Sequence, residues 1–314
     1  MLAPTFAQLS SVLTCAVDGP SYSVASSGSS LFTSSLPLRI FTNGSWSASW
    51  TRLSVQDVEG ADALGGFNGT ECAYGVAGDV NPVITVSIYD YGGLVRFAYT
   101  LPQGLAATKH TAGGSVDDDP PGASFSTITN FPGFNGSSAS LPNVLTWHES
   151  FVTPDTAMAS AYGQRGGPVV LYGADVSGTV VLLSPLGSFL ETAFGDATAA
   201  GPCTLPGCLT AGISSTFESL PPGFEQSFVL VARGGVTATV AAWGAYLKVG
   251  VQAKRKGVRL AVPPRFPPSP PSSSRGMRRP PPRCATSRCR PSATRLTMAR
   301  SCALAARGHW TRAC

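Results

Sequence analysis

Apolar and polar residues alternate with a period of two through most of the first 235 positions. In "VITVSIY" (83–89), Ile84, Val86 and Ile88 oppose Thr85, Ser87 and Tyr89, then "DYGG" turns the chain into "LVRFAYTL", with Val95, Phe97, Tyr99 and Leu101 on one side. This is the pattern of a β-hairpin with one wet face. "PVVLYGADVSGTVVLLSPL" (168–186) repeats the device around Asp175, and its second arm is apolar on both faces, which predicts a central strand. "FEQSFVLVARGG" adds a strand near 224–233. In "GSWSASWTRLSV", Trp46, Ala48 and Trp50 share one parity while Leu53 and Val55 take the other, so a bulge is expected near Thr51 and Arg52. After these strands the period changes: Val236, Val240, Trp243, Leu247 and Val251 fall at helical spacing and predict an amphipathic helix over about 236–250.

The expected fold class is therefore all-β, a large antiparallel β-sandwich with a C-terminal connector helix. Residues 1–20 give no clear element, the sandwich domain is expected over 21–253, and 254–314 form a disordered Arg/Pro/Ser-rich tail. Charge divides the chain at the same place. Of its 22 Lys and Arg, 15 lie after residue 253, where none of the 17 Asp and Glu is found. The body is thus acidic and a poor match for a polyphosphate, and any nucleic-acid partner would have to use the tail. The tail lacks regular aromatic interleaving and RGG or RS repeats, so nucleic acid is not expected as a partner. A segment of Arg, Pro, Ser, Ala and Cys without acids is what GC-rich DNA yields when read through an intron or out of frame, so 254–314 is expected not to be evolved protein sequence. The alternative is an authentic disordered basic arm.

Three sequons, Asn43-Gly-Ser, Asn68-Gly-Thr and Asn135-Gly-Ser, lie in turn-like surroundings and mark possible glycosylation sites. They fit a secretory chain, although the first residues lack a basic n-region and an unbroken apolar run. No stretch reaches 18 consecutive apolar residues, so no membrane span is expected. "CTLPGC" places a Pro-Gly turn between Cys203 and Cys208, which gives a possible disulfide. A zinc site joining them to Cys284 and Cys289 is the rival reading.

Catalytic signatures are absent from the sequence. There is no G-x-S-x-G elbow, Walker A loop or G-x-G-x-x-G after a strand. "WHESF" opens like a zinc-protease helix, but Val152 stands where a second His is required after His148. Asp117, Asp118 and Asp119 are adjacent, as in a solvated loop rather than a calcium cage. Asp90, Asp175, Glu191, Glu218 and Glu225 are available acids, but none stands in a recognisable strand-end context for glycoside hydrolysis. No catalytic residue, cofactor or metal is expected. Exposed Trp46, Trp50 or Trp147 would suit contact with a glycan, against the commoner fate of core packing.

The order of several blocks resembles a family. "VQDVEGADALGGFNGTECAYGV" (55–76), "TVSIYDYGGLVRFAYTLPQG", "FPGFNGSSASLPNVLTWHESFV", "GGPVVLYG", "VVLLSPLGSFLETAFG" and "LPPGFEQSFVLVARGGVTATVAAWGAYL" are together similar to the N-terminal β-sandwich of a multidomain eukaryotic protein. That protein resembles the alpha-galactosidase and raffinose-synthase clan of glycoside hydrolases. The resemblance covers roughly residues 30–250. It implies a carbohydrate-active parent in which a (β/α)₈ barrel follows the sandwich and holds the catalytic carboxylates, with the helix as connector. A barrel takes roughly 250 residues, far more than follow Lys254, so the barrel is expected to be missing here. What the resemblance leaves for this chain is a non-catalytic accessory sandwich; a secreted, lectin-like glycan-binding module is the competing expectation.

Overall fold

The computed structural model describes residues 8–34, 37–47, 49–76, 83–109, 127–136, 141, 143–148, 151–155, 164–165, 167–173, 178–195 and 208–255. All of them fall within one unit, Met1–Arg265. The strands run in chain order as β1 (Leu9–Ala16), β2 (Gly19–Ser26), β3 (Ser29–Ser34), β4 (Ile40–Thr42), β5 (Ser45–Ser47), β6 (Trp50–Asp62), β7 (Gly65–Val76), β8 (Ile84–Asp90), β9 (Leu94–Leu101) and β10 (Leu105–Ala106). They continue as β11 (Gly133–Gly136), β12 (Asn143–His148), β13 (Phe151–Asp155), β14 (Gln164–Arg165), β15 (Val169–Tyr172), β16 (Thr179–Pro185), β17 (Thr192–Gly195), β18 (Cys208–Ile213), β19 (Ser219–Leu220) and β20 (Phe224–Gly234). Helix α1 (Val236–Arg255) follows directly.

Two large sheets form the body. One has seven strands in the order β1-β2-β3-β11-β18-β17-β14, the other nine in the order β13-β12-β15-β16-β20-β9-β8-β7-β6. Every ladder is antiparallel. The period-two pattern sets which residues meet between the sheets. Ile84, Val86 and Ile88 of β8 and Val95, Phe97 and Tyr99 of β9 join Tyr22, Val24, Phe32, Phe134, Phe194 and Leu209 of the other sheet in one buried cluster. Its centre is aromatic: the Phe97 ring lies 5.2 Å from both Tyr22 and Phe134, tilted or edge-on as ring quadrupoles prefer. The Tyr22 hydroxyl, buried among these rings, donates to the Gly133 carbonyl at 2.5 Å. The chain is an all-β sandwich.

Helix α1 adds a partial third layer. Ala242, Trp243, Tyr246 and Leu247 pack on Leu94, Val229 and Val231 of the nine-stranded sheet's outer face. Val236, Val240 and Trp243 cover Val170, Val180 and Leu182. This is why β16 is apolar on both sides: it lies between β15 and β20 with the core below and the helix above.

Two sequence expectations change. Residues 8–20, left without an element, form β1 and open β2, and Leu9 and Cys15 are buried. The outward Val12, 61% exposed, blurred the alternation. Trp46 and Trp50 do not share a strand: Trp46 is in β5, paired only with β4, and Trp50 opens β6 in the nine-stranded sheet. The expected bulge is present, as a register shift between Arg52 and Ser54. Residues 256–314, including the basic tail and Cys284 and Cys289, lie outside the described residues.

Candidate functional site

Two polar constellations stand out. The first is a charge network on the outer face of the nine-stranded sheet. Arg96 alternates outward from β9 between core residues Val95 and Phe97, yet it is 1% exposed. Its Nη2 donates to Glu225 Oε1 at 2.9 Å and to Ser227 Oγ at 3.3 Å, both on neighbouring β20. Its Nη1 is 3.8 Å from Asp62, at the tip of the β6–β7 hairpin. The guanidinium also stands 5.3 Å from the Tyr89 ring centroid. Tyr89 donates its hydroxyl to Glu71 Oε1, and Tyr91 donates to Asp62 Oδ2 at 2.9 Å.

Burial dominates the electrostatics here. It pushes the Glu71 carboxyl above its ordinary value of 4.5, with the Tyr89 hydrogen bond and the Arg96 charge opposing. Burial likewise raises the Tyr89 and Tyr91 hydroxyls. A buried guanidinium is costly unless paired, and Asp62 and Glu225 provide the pairing. These carboxylates are committed to holding the hairpin tip over the sheet, so Glu225, an acid singled out by the sequence, is a structural partner of Arg96.

The second constellation is a groove of about 940 Å³ where the sandwich opens between β1 and the β6–β7 hairpin. Cys72 and Tyr74 of β7 point into the core. Two and four residues earlier on the same face stand Thr70 and Asn68. Directly across the ladders lie Asp57 opposite Thr70, Glu59 opposite Asn68, and Asp90 opposite Asn68. The inner face thus turns polar where the facing sheet ends. The other wall is tied in by Leu9 N–H to the Gly92 carbonyl at 3.2 Å and by Ser11 N–H to Asp90 Oδ2 at 3.0 Å. Thr70 donates to Asp57 Oδ1 at 3.0 Å. Among the described residues no group of three His, Cys, Asp or Glu could hold a metal ion.

The residues marked by the sequence are scattered. Trp50 is buried, its indole Nε1 donating to the Leu38 carbonyl at 2.6 Å, so its ring belongs to the core. Trp46 is half-buried and edge-on to Phe41 at 5.4 Å. Trp147 lies in β12, and its side chain is outside the described residues. Asn43 is exposed at the β4–β5 turn with φ 51°, followed by Gly44 at φ 75°, the primed-turn chemistry that Asn-Gly favours.

Asn68 and Asn135, by contrast, stand within strands β7 and β11, not in turns. The Asn-Gly signal misled at Asn68 because Gly69 answers a different need: a Cβ there would lie 2.5 Å from the Ile88 carbonyl oxygen of β8. Cys203, Asp117 to Asp119 and Asp175 lie outside the described residues, as does the Cys208 side chain on β18.

A disulfide joins Cys15 of β1 to Cys72 of β7, with Cα atoms 5.8 Å apart, and so links the two sheets. Spacing could not have paired these two, since they are 57 residues apart on strands of different sheets.

The fold and these sites define a two-layer antiparallel β-sandwich with a helix on its outer face. No protein-family model matches the chain, and no curated protein does. Among solved structures it is similar to a Glycoside Hydrolase Family 97 enzyme from Pseudoalteromonas sp. strain K8, at 10% identity and a TM-score of 0.47 over 73% of this chain and 34% of that one. It is also similar to an alpha-N-acetylgalactosaminidase from Bifidobacterium bifidum, at 11% identity and a TM-score of 0.48 over 79% and 38%. A beta-arabinopyranosidase gives 15% identity and a TM-score of 0.42 over 73% and 39%. The chain spans little more than a third of the length of each. At these scores the likeness assigns no substrate and no catalytic residue to it.

Proposed function

We propose that this chain is the non-catalytic accessory sandwich of a carbohydrate-active, glycoside hydrolase-like protein whose catalytic barrel is supplied by a longer reading of the same gene. The observation that carries the reading is the junction of β20 with α1. The block "LPPGFEQSFVLVARGGVTATVAAWGAYL", which resembles the end of such a sandwich, folds as a long central strand followed at once by a helix packed on the outer face. The connector of a following domain would stand at that position. The sandwich would brace the barrel, and the carboxylates of the chemistry would lie on barrel loops. Asp62 and Glu225 are both engaged by Arg96, in keeping with a body that does no acid–base work.

The Cys15–Cys72 disulfide favours folding in an oxidising compartment, as expected of a secreted protein. The test is activity on a panel of aryl α-glycosides. The longer chain should release the phenol and this 314-residue chain should not. Turnover by this chain alone would refute the reading, and tight oligosaccharide binding by it without any barrel would replace the accessory role with that of an independent glycan-binding module.

A further inference from the structure

The groove beside β1 has no role in the reading above, and its chemistry is specific. Asp57, Glu59 and Asp90 place acceptors along it, and among the described residues no Lys or Arg lines it and no metal-holding cluster is found. An anion is disfavoured there, whereas a neutral ligand rich in hydroxyl donors fits. Val12, 61% exposed, adds an apolar patch to the same groove. At about 940 Å³ the volume is at the upper end of the roughly 300–1,000 Å³ of small-ligand sites. One lining residue is itself an acceptor for sugar: Asn68 is exposed and heads the sequon Asn68-Gly69-Thr70.

We propose that Asn68 carries an N-linked oligosaccharide and that the groove is the bed of its inner sugars. In the transfer, the amide nitrogen of Asn68 bonds to C1 of a sugar carried on a lipid diphosphate. The C1–oxygen bond to the diphosphate breaks, the lipid diphosphate leaves with that electron pair, and the amide gives up one proton; nothing is oxidised or reduced. β7 is paired on both sides, with Glu59 and Asp90 opposite Asn68, so transfer precedes the closing of these ladders. Once the sheet has formed, the Thr70 hydroxyl turns to Asp57, the Asp90 carboxylate holds the Ser11 and Gly92 N–H groups, and the sugar hydroxyls find the carboxylate of Glu59. The glycan thereby continues the sandwich where the facing sheet ends and covers Val12. Among the described residues neither other sequon has such a bed: Asn43 stands at an exposed hairpin turn, and Asn135 is half-buried between β3 and β18.

The full chain, expressed behind a heterologous secretion signal in insect cells, tests this whether it reaches the medium or stays in the endoplasmic reticulum. Glycopeptide mass spectrometry should find Asn68 occupied. Peptide-N-glycosidase should release that glycan several-fold more slowly from the native chain than from the denatured one, with no such lag for a glycan on Asn43. Glu59→Ala, which leaves the sequon intact, should shorten the lag at Asn68 alone. An empty Asn68, or native release as fast as denatured release, overturns the proposal. A failure of the hydrolase reading leaves this result untouched, because the readout is the sugar on Asn68 and not turnover.

Discussion

At the residue scale, the buried charges among the described residues, Arg96 and Glu71, meet in one network around Tyr89. Replacing Arg96 by Leu would strand Asp62 and Glu225 without their cation, at a cost of about 3–5 kcal/mol. Chemical denaturation should show that loss, together with faster proteolysis at the β6–β7 tip. Glu71 makes the opposite case. Its folded pKa is raised, so between its ordinary value of 4.5 and the raised one the native state holds a proton that the unfolded state has lost. Stability attributable to this group therefore falls as pH rises through that window. Glu71→Gln keeps an acceptor for the Tyr89 hydroxyl and removes the titration. Melting curves from pH 4 upward should show the variant gaining on the wild type as pH rises, and a constant offset would contradict this assignment.

Elements divide by how locally their signals are written. The β8–β9 hairpin was legible because Asp90 to Gly93 turn the chain between two cleanly alternating arms. β16 was legible as central because Val180 to Leu183 are apolar without interruption. Helix α1 was legible from its 3.6-residue spacing, and Val236, Val240, Trp243 and Leu247 all contact the sheet. β1 was not legible, because Ser-rich positions and an outward Val12 carry no strict period; its burial comes from a partner sheet far along the chain. The sequons misread as turns show the same limit, since Gly69 serves the close approach of β8.

The helix gives a sharp element-level test at Trp243, which touches both clusters beneath it while its indole Nε1 is buried without a hydrogen-bond partner. Trp243→Ala should cost about 3 kcal/mol in denaturant titrations. Trp243→Phe, which keeps apolar contact and removes the unpaired donor, should cost under about 1 kcal/mol.

At the scale of the whole molecule, the sheets are held by the aromatic centre and by one covalent link. Cys15→Ser opens a loop whose ends are 57 residues apart. On chain-entropy grounds this should lower stability by about 4 kcal/mol, and reducing agent should mimic it in the wild type but not in the variant. Of the candidate sites, the sequence held the pieces and not their meeting. Asn68 was visible as a sequon, but the groove exists only because β1 of one sheet faces β6 and β7 of the other. The Arg96 network is likewise assembled from β6, β7, β8 and β9, which follow one another as hairpins, and from β20, whose Glu225 is 129 residues from Arg96 and which no local pattern brings to them. The most direct test of the central claim, that this sandwich serves a larger carbohydrate-active protein, is to sequence the transcript across codons 250–260 and onward. A frame that passes from α1 into about 250 further residues of alternating strands and helices bears it out; an uninterrupted frame that ends at Cys314 in every transcript contradicts it.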